Sequence, residues 1–186
     1  MNSFNPHTHT YTIARKPVPS VTQIIKAVIG QKYYATDWHM ERGTIVHQCA
    51  AMLCKGIRFG HDPQIDGYVQ AVKTWLEIRK PEIMYVERRM FSERFGYAGT
   101  CDLICKIDGK SFVVDWKGCP SPVDQWQLAA YSELACEGIN WGFVVALSND
   151  GKPKEGKPVD LKRARNEWRS VLNVYKMKDR EGLTNE

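Results

Sequence analysis

The spacing of apolar residues changes at Pro81, and this change limits the folds that are open to the chain. Before Pro81, apolar residues recur three or four positions apart, as they do on a helix with one buried face. These residues are Ile65, Tyr68, Val69, Val72, Trp75 and Leu76. After Pro81, the segments 83–91, 99–107 and 111–117 have the length and the apolar content of strands.

A hairpin, a helix and a further strand are expected in the second half of the chain. Asp108-Gly109 predicts the turn between the second and third strands. The helix should lie at 123–136, the strand at 141–147 and a last helix from about 161 to 178. This order predicts an α/β fold in which a mixed central β-sheet is flanked by helices.

Helix boundaries are marked most clearly in the N-terminal part. Ser20 and Gln23 have the spacing of a capping box, and Gly30 is typical of a helix end. A second helix is expected from about Arg42 to Lys55, and a third from near Pro63. The expected parts of the single domain, residues 1–186, are a short strand (11–14), N-terminal helices (20–80), a core (81–150) and a basic C-terminal helix (160–180).

Positive charge is concentrated near the C-terminus. The formal net charge is +5, while the segment 152–180 alone holds ten basic and four acidic side chains, a net of +6. A basic end on a nearly neutral body suggests an anionic partner such as nucleic acid. A solvated surface helix is the plainer interpretation.

The chain shows no mark of export or of a membrane. No apolar run approaches the roughly 20 residues of a membrane span, and Met1-Asn2-Ser3-Phe4 does not begin a secretory signal. We therefore expect a cytoplasmic protein without a membrane partner. Its cysteines form no C-x-x-C pair, which indicates reduced, mostly buried thiols; they are Cys49, Cys54, Cys101, Cys105, Cys119 and Cys136.

Asp115-Trp116-Lys117, at the end of an apolar strand, is the strongest local pattern for chemistry. Successive strand residues point to opposite faces, so Asp115 and Lys117 should share a face while Trp116 points into packing. The acid can bind a metal ion, and the lysine can orient a water and neutralise charge on a phosphate. A surface ion pair is the alternative.

Asp102 lies among apolar neighbours in the strand before the hairpin. Pairing around the predicted turn places it within a residue or two of the level of Asp115. A carboxylate in such surroundings is costly to bury unless a metal or an opposite charge receives it. The alternative is a strand-end aspartate that caps a loop.

Glu87 and His47 are weaker candidates. Glu87, on the preceding strand, can add a third carboxylate or simply pair with Arg88 or Arg89. His47 lies in the second predicted helix, where a lone histidine is more often structural than a ligand.

Gln127 and Tyr131 are four positions apart in the helix after the strand, so they share a face. Their hydrogen-bonding ends can reach a phosphate or a metal-bound group. Otherwise Tyr131 belongs to the core and Gln127 to the surface.

The order H…E…G-T-x-D…D-W-K…Q-x-x-x-Y resembles the PD-(D/E)XK nuclease superfamily, above all RecB-type exonuclease domains and their small phage relatives. The likeness covers about residues 7–150, and Pro19-Ser20-Val21-Thr22 and Arg42-Gly43-Thr44 are similar to that group as well. The matching residues are His47, Glu87, Asp102, Asp115, Lys117, Gln127 and Tyr131.

The resemblance implies a restriction-endonuclease-like core and a deoxyribonuclease that depends on Mg²⁺ or Mn²⁺, an exonuclease rather than an endonuclease. The catalytic set it implies is Glu87, Asp102, Asp115 and Lys117. The metal ligands it implies are His47, Asp102, Asp115 and the backbone carbonyl of Trp116. The residues expected to contact the substrate are Arg42, Gln127, Tyr131, Arg163, Arg165 and Arg169.

Partners and setting follow from the same resemblance. We expect DNA as substrate, a recombination or single-strand-binding protein as partner, and a role in DNA recombination, repair or degradation in a bacterial cell or a phage-infected host. The chain departs from its relatives at Gly118, where they carry threonine or serine, and it lacks a Pro-Asp pair as first motif. Because no cysteine follows Cys136, we expect no iron–sulfur cluster of the kind that some RecB-like nucleases hold.

Two other functions fit the same residues. One is a catalytically weak nuclease fold that holds DNA ends for a recombination partner, although the intact Asp102, Asp115 and Lys117 argue against it. The other is a metal-dependent hydrolase of nucleotides.

Overall fold

The computed structural model describes residues 1–6, 8–30 and 37–184, and within them the chain forms five α-helices and two sheets. The strands are β1 (Ser3–Asn5), β2 (Thr10–Ile13), β3 (Lys16–Val18), β4 (Glu82–Ser92), β5 (Tyr97–Ile107), β6 (Lys110–Lys117), β7 (Trp141–Ala146), β8 (Lys154–Glu155) and β9 (Val159–Asp160). The helices are α1 (Val21–Ile29), α2 (Asp37–Cys54), α3 (Asp66–Arg79), α4 (Asp124–Ala135) and α5 (Leu161–Arg180). The predicted helical region 20–80 includes residues 31–36, which lie outside the described residues.

The larger sheet has the order β4-β5-β6-β7-β8, and β9 also pairs with β7. The strands β4, β5 and β6 are antiparallel, whereas β6 and β7 are parallel and are joined by α4 as the crossover. The helices α1, α4 and α5 pack on one face of this sheet, and α2 and α3 pack on the other. The predicted mixed sheet flanked by helices is therefore confirmed.

Local signals in the sequence account for the element boundaries. Asp108 and Gly109 both have positive φ, 50° and 73°, as the tight turn between β5 and β6 requires. Both hydrogen bonds of the predicted capping box, between Ser20 and Gln23, are present at the start of α1. Trp116 is buried and meets Trp75 of α3 edge to face at 5.2 Å, which confirms that it points into packing.

The N-terminal sheet is larger than the sequence patterns predict. They predict only its middle strand, β2, which pairs with β1 on one side and β3 on the other. Tyr11 of β2 joins this small sheet to the central one, since its hydroxyl lies 2.7 Å from Thr100 Oγ1 and its ring packs on Phe91. The N-terminal sheet therefore lies beside β4 and β5.

Strand β4 is irregular where it passes the candidate carboxylates. Its register with β5 shifts between Ile83 and Tyr85. Glu87 then has a φ of 52°, in the left-handed region that favours glycine. Such a conformation in a residue with a side chain costs on the order of 1–3 kcal/mol.

The cysteines are free thiols, as expected, but they are not all buried. Cys119 and Cys136 are exposed, because Cys119 lies in the break after β6 and Cys136 forms the left-handed cap of α4. None of the described helices combines the length and the apolar content needed to cross a membrane.

Candidate active site

Asp102 lies where β5 and β6 separate. The pair Leu103↔Val114 sets Asp102 opposite Asp115, which confirms the level predicted from the hairpin. The backbone ladder ends there, and Asp102 Oδ2 instead accepts a hydrogen bond of 2.9 Å from the amide of Trp116. The carboxylate of Asp102, only 8% exposed, is thus held by the adjacent strand.

His47 approaches the same carboxylate from α2. Its Nδ1 lies 3.2 Å from Asp102 Oδ1, and the negative charge of Asp102 raises the pKa of His47 to about 9. Burial alone would raise the pKa of Asp102, but His47, Lys117 and the Trp116 amide stabilise its charged form and hold that pKa below its ordinary value.

Glu87 completes a group of three on β4, and we name His47, Glu87 and Asp102 the cation cluster. One donor atom from each residue lies within 4.8 Å of the others. Glu87 stands at the level of Asp102, since Val86↔Leu103 and Arg88↔Cys101 flank the two. Burial and the charge of Asp102 raise the pKa of Glu87 to about 7. Glu87 forms no ion pair with Arg88 or Arg89 in the part of the chain that the structure describes.

Asp115, Lys117, Gln127 and Tyr131 form a second group, which we name the lysine network. Lys117 Nζ lies 2.7 Å from Asp115 Oδ2 and donates to Gln127 Oε1 at 2.9 Å. The amide of Gln127 donates to Asp115 Oδ1 at 3.1 Å and to the hydroxyl of Tyr131 at 2.9 Å. Asp115 and Lys117 therefore share a face, as their spacing predicts.

Charge in the lysine network is balanced internally. Burial raises the pKa of Asp115 to about 6, although Lys117 stabilises its charged form. Burial would lower the pKa of Lys117, but Asp115 and Asp102 raise it above its ordinary value. Both side chains are therefore charged at neutral pH.

The cation cluster fits a divalent metal ion by the chemistry of its donors. Two carboxylates and one imidazole converge, and such sets suit Mg²⁺ or Mn²⁺. Asp115 is outside this group of three, and Gln127 and Lys117 lie against its two oxygens. The ligand roles assigned to Asp115 and to the Trp116 carbonyl stay predictions.

The substrate contacts predicted for Gln127 and Tyr131 stay predictions. Both are buried against Asp115 and Lys117 at the start of the α4 crossover. Gln127 bonds directly to Asp115 and Lys117, and Tyr131 bonds to Gln127. The predicted contact Arg42 lies in α2, with its guanidinium 5.0 Å from the centre of the Tyr68 ring.

The three arginines of the basic helix α5 have different surroundings. Arg165 donates to Ser132, to the carbonyl of Ile139 and to Asn140, which ties α5 to α4 and the loop after it. These hydrogen bonds engage Arg165 within the protein, and its predicted contact with substrate stays a prediction. Arg163 is 85% exposed beside Glu167, and Arg169 is 53% exposed and paired with Glu133.

Sequence patterns miss three side chains around the cation cluster. The charges of Lys55 and Arg89 both act against the rise in the pKa of Glu87. The pKa of the Cys54 thiol is raised to about 12, by burial first and then by Asp102 and Glu87. Cys54 is two helical turns after His47 in α2. Helical spacing alone therefore places the two on the same face of the helix.

No family model matches the chain, and no curated protein matches it in sequence. Among solved structures, the chain is similar to the alkaline exonuclease LHK-Exo from Laribacter hongkongensis, with 11% identity and a TM-score of 0.44 over 88% of each chain. It is likewise similar to LHK-Exo in complex with dAMP, with 10% identity and a TM-score of 0.45 over 89% of each chain.

Proposed function

We propose that the chain is a nuclease that hydrolyses phosphodiester bonds of DNA and depends on a divalent cation. The observation that supports this most directly is the cation cluster lying next to the buried Asp115–Lys117 pair. Phosphodiester hydrolysis needs positive charge around the phosphate and an activated water, and these two groups of side chains can provide for both.

The cation cluster would hold the ion through His47, Glu87 and Asp102. Oxygen donors favour Mg²⁺, and one imidazole makes Mn²⁺ a good substitute. A cation bound there would lower the pKa of a water and stabilise negative charge on the phosphate. His47 has to release its proton before it can act as a ligand, because a protonated imidazole has no lone pair to donate.

Lys117 brings a second positive charge to the site. Two of its three ammonium hydrogens serve Asp115 and Gln127, and the third can donate to the attacking water or to a phosphate oxygen. Asp115 and Gln127 hold the ammonium group in place for this task. Tyr131 holds Gln127 in turn.

Metal dependence tests the proposal. With Mg²⁺ or Mn²⁺ the protein should degrade DNA, and with EDTA it should not, because the site is mostly carboxylate. Robust cleavage in EDTA would contradict the mechanism, as would a reaction with Ca²⁺ as fast as that with Mg²⁺. Free nucleotides and RNA in parallel reactions test whether the substrate is instead a nucleotide or RNA.

Exonuclease action is the finer part of the proposal and rests on the motif resemblance. An exonuclease degrades an end-labelled linear duplex and leaves a closed circle of the same sequence intact. Cutting of the circle would contradict the exonuclease part while leaving a nuclease. Binding without cleavage, under every metal condition, would favour a DNA-binding module. The recombination partner and the bacterial or phage setting stay predictions.

A further inference from the structure

Arg89 is an exposed cation next to the cation cluster. Its guanidinium lies over the ring of Phe4, 4.7 Å from the centre. The neighbouring Arg88 pairs with Glu137. Arg89 takes part in none of the ion pairs formed by the described residues. Its charge is therefore available to an anion from outside.

Strand register places Arg89 on the face of the sheet that carries the site. Arg89 pairs with Thr100, and residues that pair across antiparallel strands share a face. Thr100 is two residues from Asp102, so the two share that face at about 7 Å along the strand. The charge of Arg89 also acts against the rise in the pKa of Glu87, as expected for a neighbour.

The N-terminal sheet holds Arg89 in this position. Phe4 packs against Tyr11, with 4.6 Å between their ring centres, and the hydroxyl of Tyr11 lies 2.7 Å from Thr100 Oγ1. Phe4, Tyr11 and Thr100 are thus linked in one row of contacts, and the guanidinium is stacked on the Phe4 ring at its end. A cation that is already held in place loses little conformational freedom when it binds an anion.

We propose that Arg89 binds a backbone phosphate of the nucleic acid, adjacent to the phosphodiester that is cut, while Phe4 holds the guanidinium ready for that contact. The inference rests on the proposed nuclease function and adds to it a phosphate subsite beside the N-terminal sheet. The planar guanidinium matches a phosphate through two parallel hydrogen bonds.

The test compares Arg89→Gln with Arg94→Gln. Arg94 is the matched control, since it is exposed on the same hairpin and lies over the Phe95 ring at 5.0 Å. Binding of a fluorescently labelled duplex is titrated at several salt concentrations, with Ca²⁺ in place of Mg²⁺ to prevent cleavage. Arg89→Gln should reduce the log–log salt slope by about 0.9 for duplex DNA or about 0.7 for a single strand. It should also raise KM more than it lowers kcat. Arg94→Gln should change neither.

Two further variants separate binding from folding. Phe4→Leu keeps the charge of Arg89 and should weaken binding in the same direction but less strongly, and Arg89→Lys should restore part of the salt slope. If Arg89→Gln lowers Tm but leaves salt slope and KM unchanged, Arg89 only supports the N-terminal sheet, and the inference is overturned. That result would leave the nuclease function intact, whereas a wild-type protein that cleaves nothing would overturn the function itself.

Discussion

The cation cluster and the lysine network lie side by side, since Asp102 stands opposite Asp115, yet their charges are balanced in different ways. In the lysine network, Lys117 pairs with Asp115. The amide oxygen of Gln127 accepts from Lys117, and its nitrogen donates to Asp115 and Tyr131. In the cation cluster, two carboxylates share one imidazole, and Glu87 keeps its proton up to a pH of about 7.

The lysine network is complete in the folded protein, whereas the cation cluster would be completed by a bound ion. The lysine network has its partners as soon as β6 and α4 pack together. The cation cluster brings like charges together, and an added cation would relieve their repulsion. Substitutions can therefore disrupt the cation cluster or the lysine network separately. The two groups should respond differently to metal.

The largest effect is expected for Asp102→Asn. The variant can still accept the Trp116 amide hydrogen bond, but it loses the charge that the cation cluster is built around. Cleavage should fall by at least about 10³-fold. The rise in Tm that Mg²⁺ or Mn²⁺ produces should disappear. Glu77→Gln, at an exposed carboxylate of α3, is the control. A metal-induced rise in Tm that survives in Asp102→Asn would mean that the ion binds elsewhere.

Lys117→Ala should disrupt the lysine network and leave metal binding by the cation cluster in place. It should lower kcat by about 10²–10³-fold, as the loss of one charge-stabilising donor does, while the metal-induced rise in Tm remains. Asp115→Ala should lower kcat in the same direction and should also lower Tm, because it leaves Lys117 without its ion-pair partner. Lys106→Ala, a lysine of the neighbouring strand paired with Glu82, is the matched control. Near-wild-type turnover in Lys117→Ala would show that the lysine network is not part of the chemistry.

Changing pH should act on the cation cluster in opposite directions with and without metal. Without metal, the folded pKa of His47, about 9, exceeds its unfolded value of about 6.5. Its pair with Asp102 therefore stabilises the fold fully below pH 6.5, and this contribution is lost as pH rises to about 9. Metal binding needs His47 and Glu87 unprotonated, so the stabilisation by Mg²⁺ should grow over the same range.

Thermal unfolding from pH 6.5 to 9, in EDTA and in Mg²⁺, measures both trends. His47→Gln should flatten the trend seen in EDTA. A stabilisation by Mg²⁺ that does not vary with pH would place the ion away from His47 and Glu87.

The smallest effect is expected for the basic helix α5. Arg163→Gln should remove at most one phosphate contact and so reduce the salt slope of DNA binding by no more than about 0.9. Arg165 is left unchanged, because its hydrogen bonds to Ser132, Ile139 and Asn140 would make its loss an effect on stability. An unchanged slope would identify the exposed side of α5 as ordinary solvated surface.

Most of the fold, and the two aspartates of the site, could be predicted from the sequence. Helical and strand periods are clear over long elements, and Asp108-Gly109 fixes the register that sets Asp102 opposite Asp115. The N-terminal sheet could not be predicted in the same way, because strands of three residues are too short to show an alternating pattern. The contacts of long side chains could not be predicted from such patterns either. Arg165 reaches from α5 to α4 only once both helices are packed.

The left-handed backbone at Glu87 makes this position less stable with a side chain than it would be with glycine. Glycine adopts a φ of 52° without the steric cost that any side chain incurs there. Replacing Glu87 by glycine should therefore make the fold more resistant to unfolding than replacing it by alanine, although both remove the same carboxylate. Backbone strain at a residue that carries a site side chain is the pattern expected where function is kept at a cost in stability.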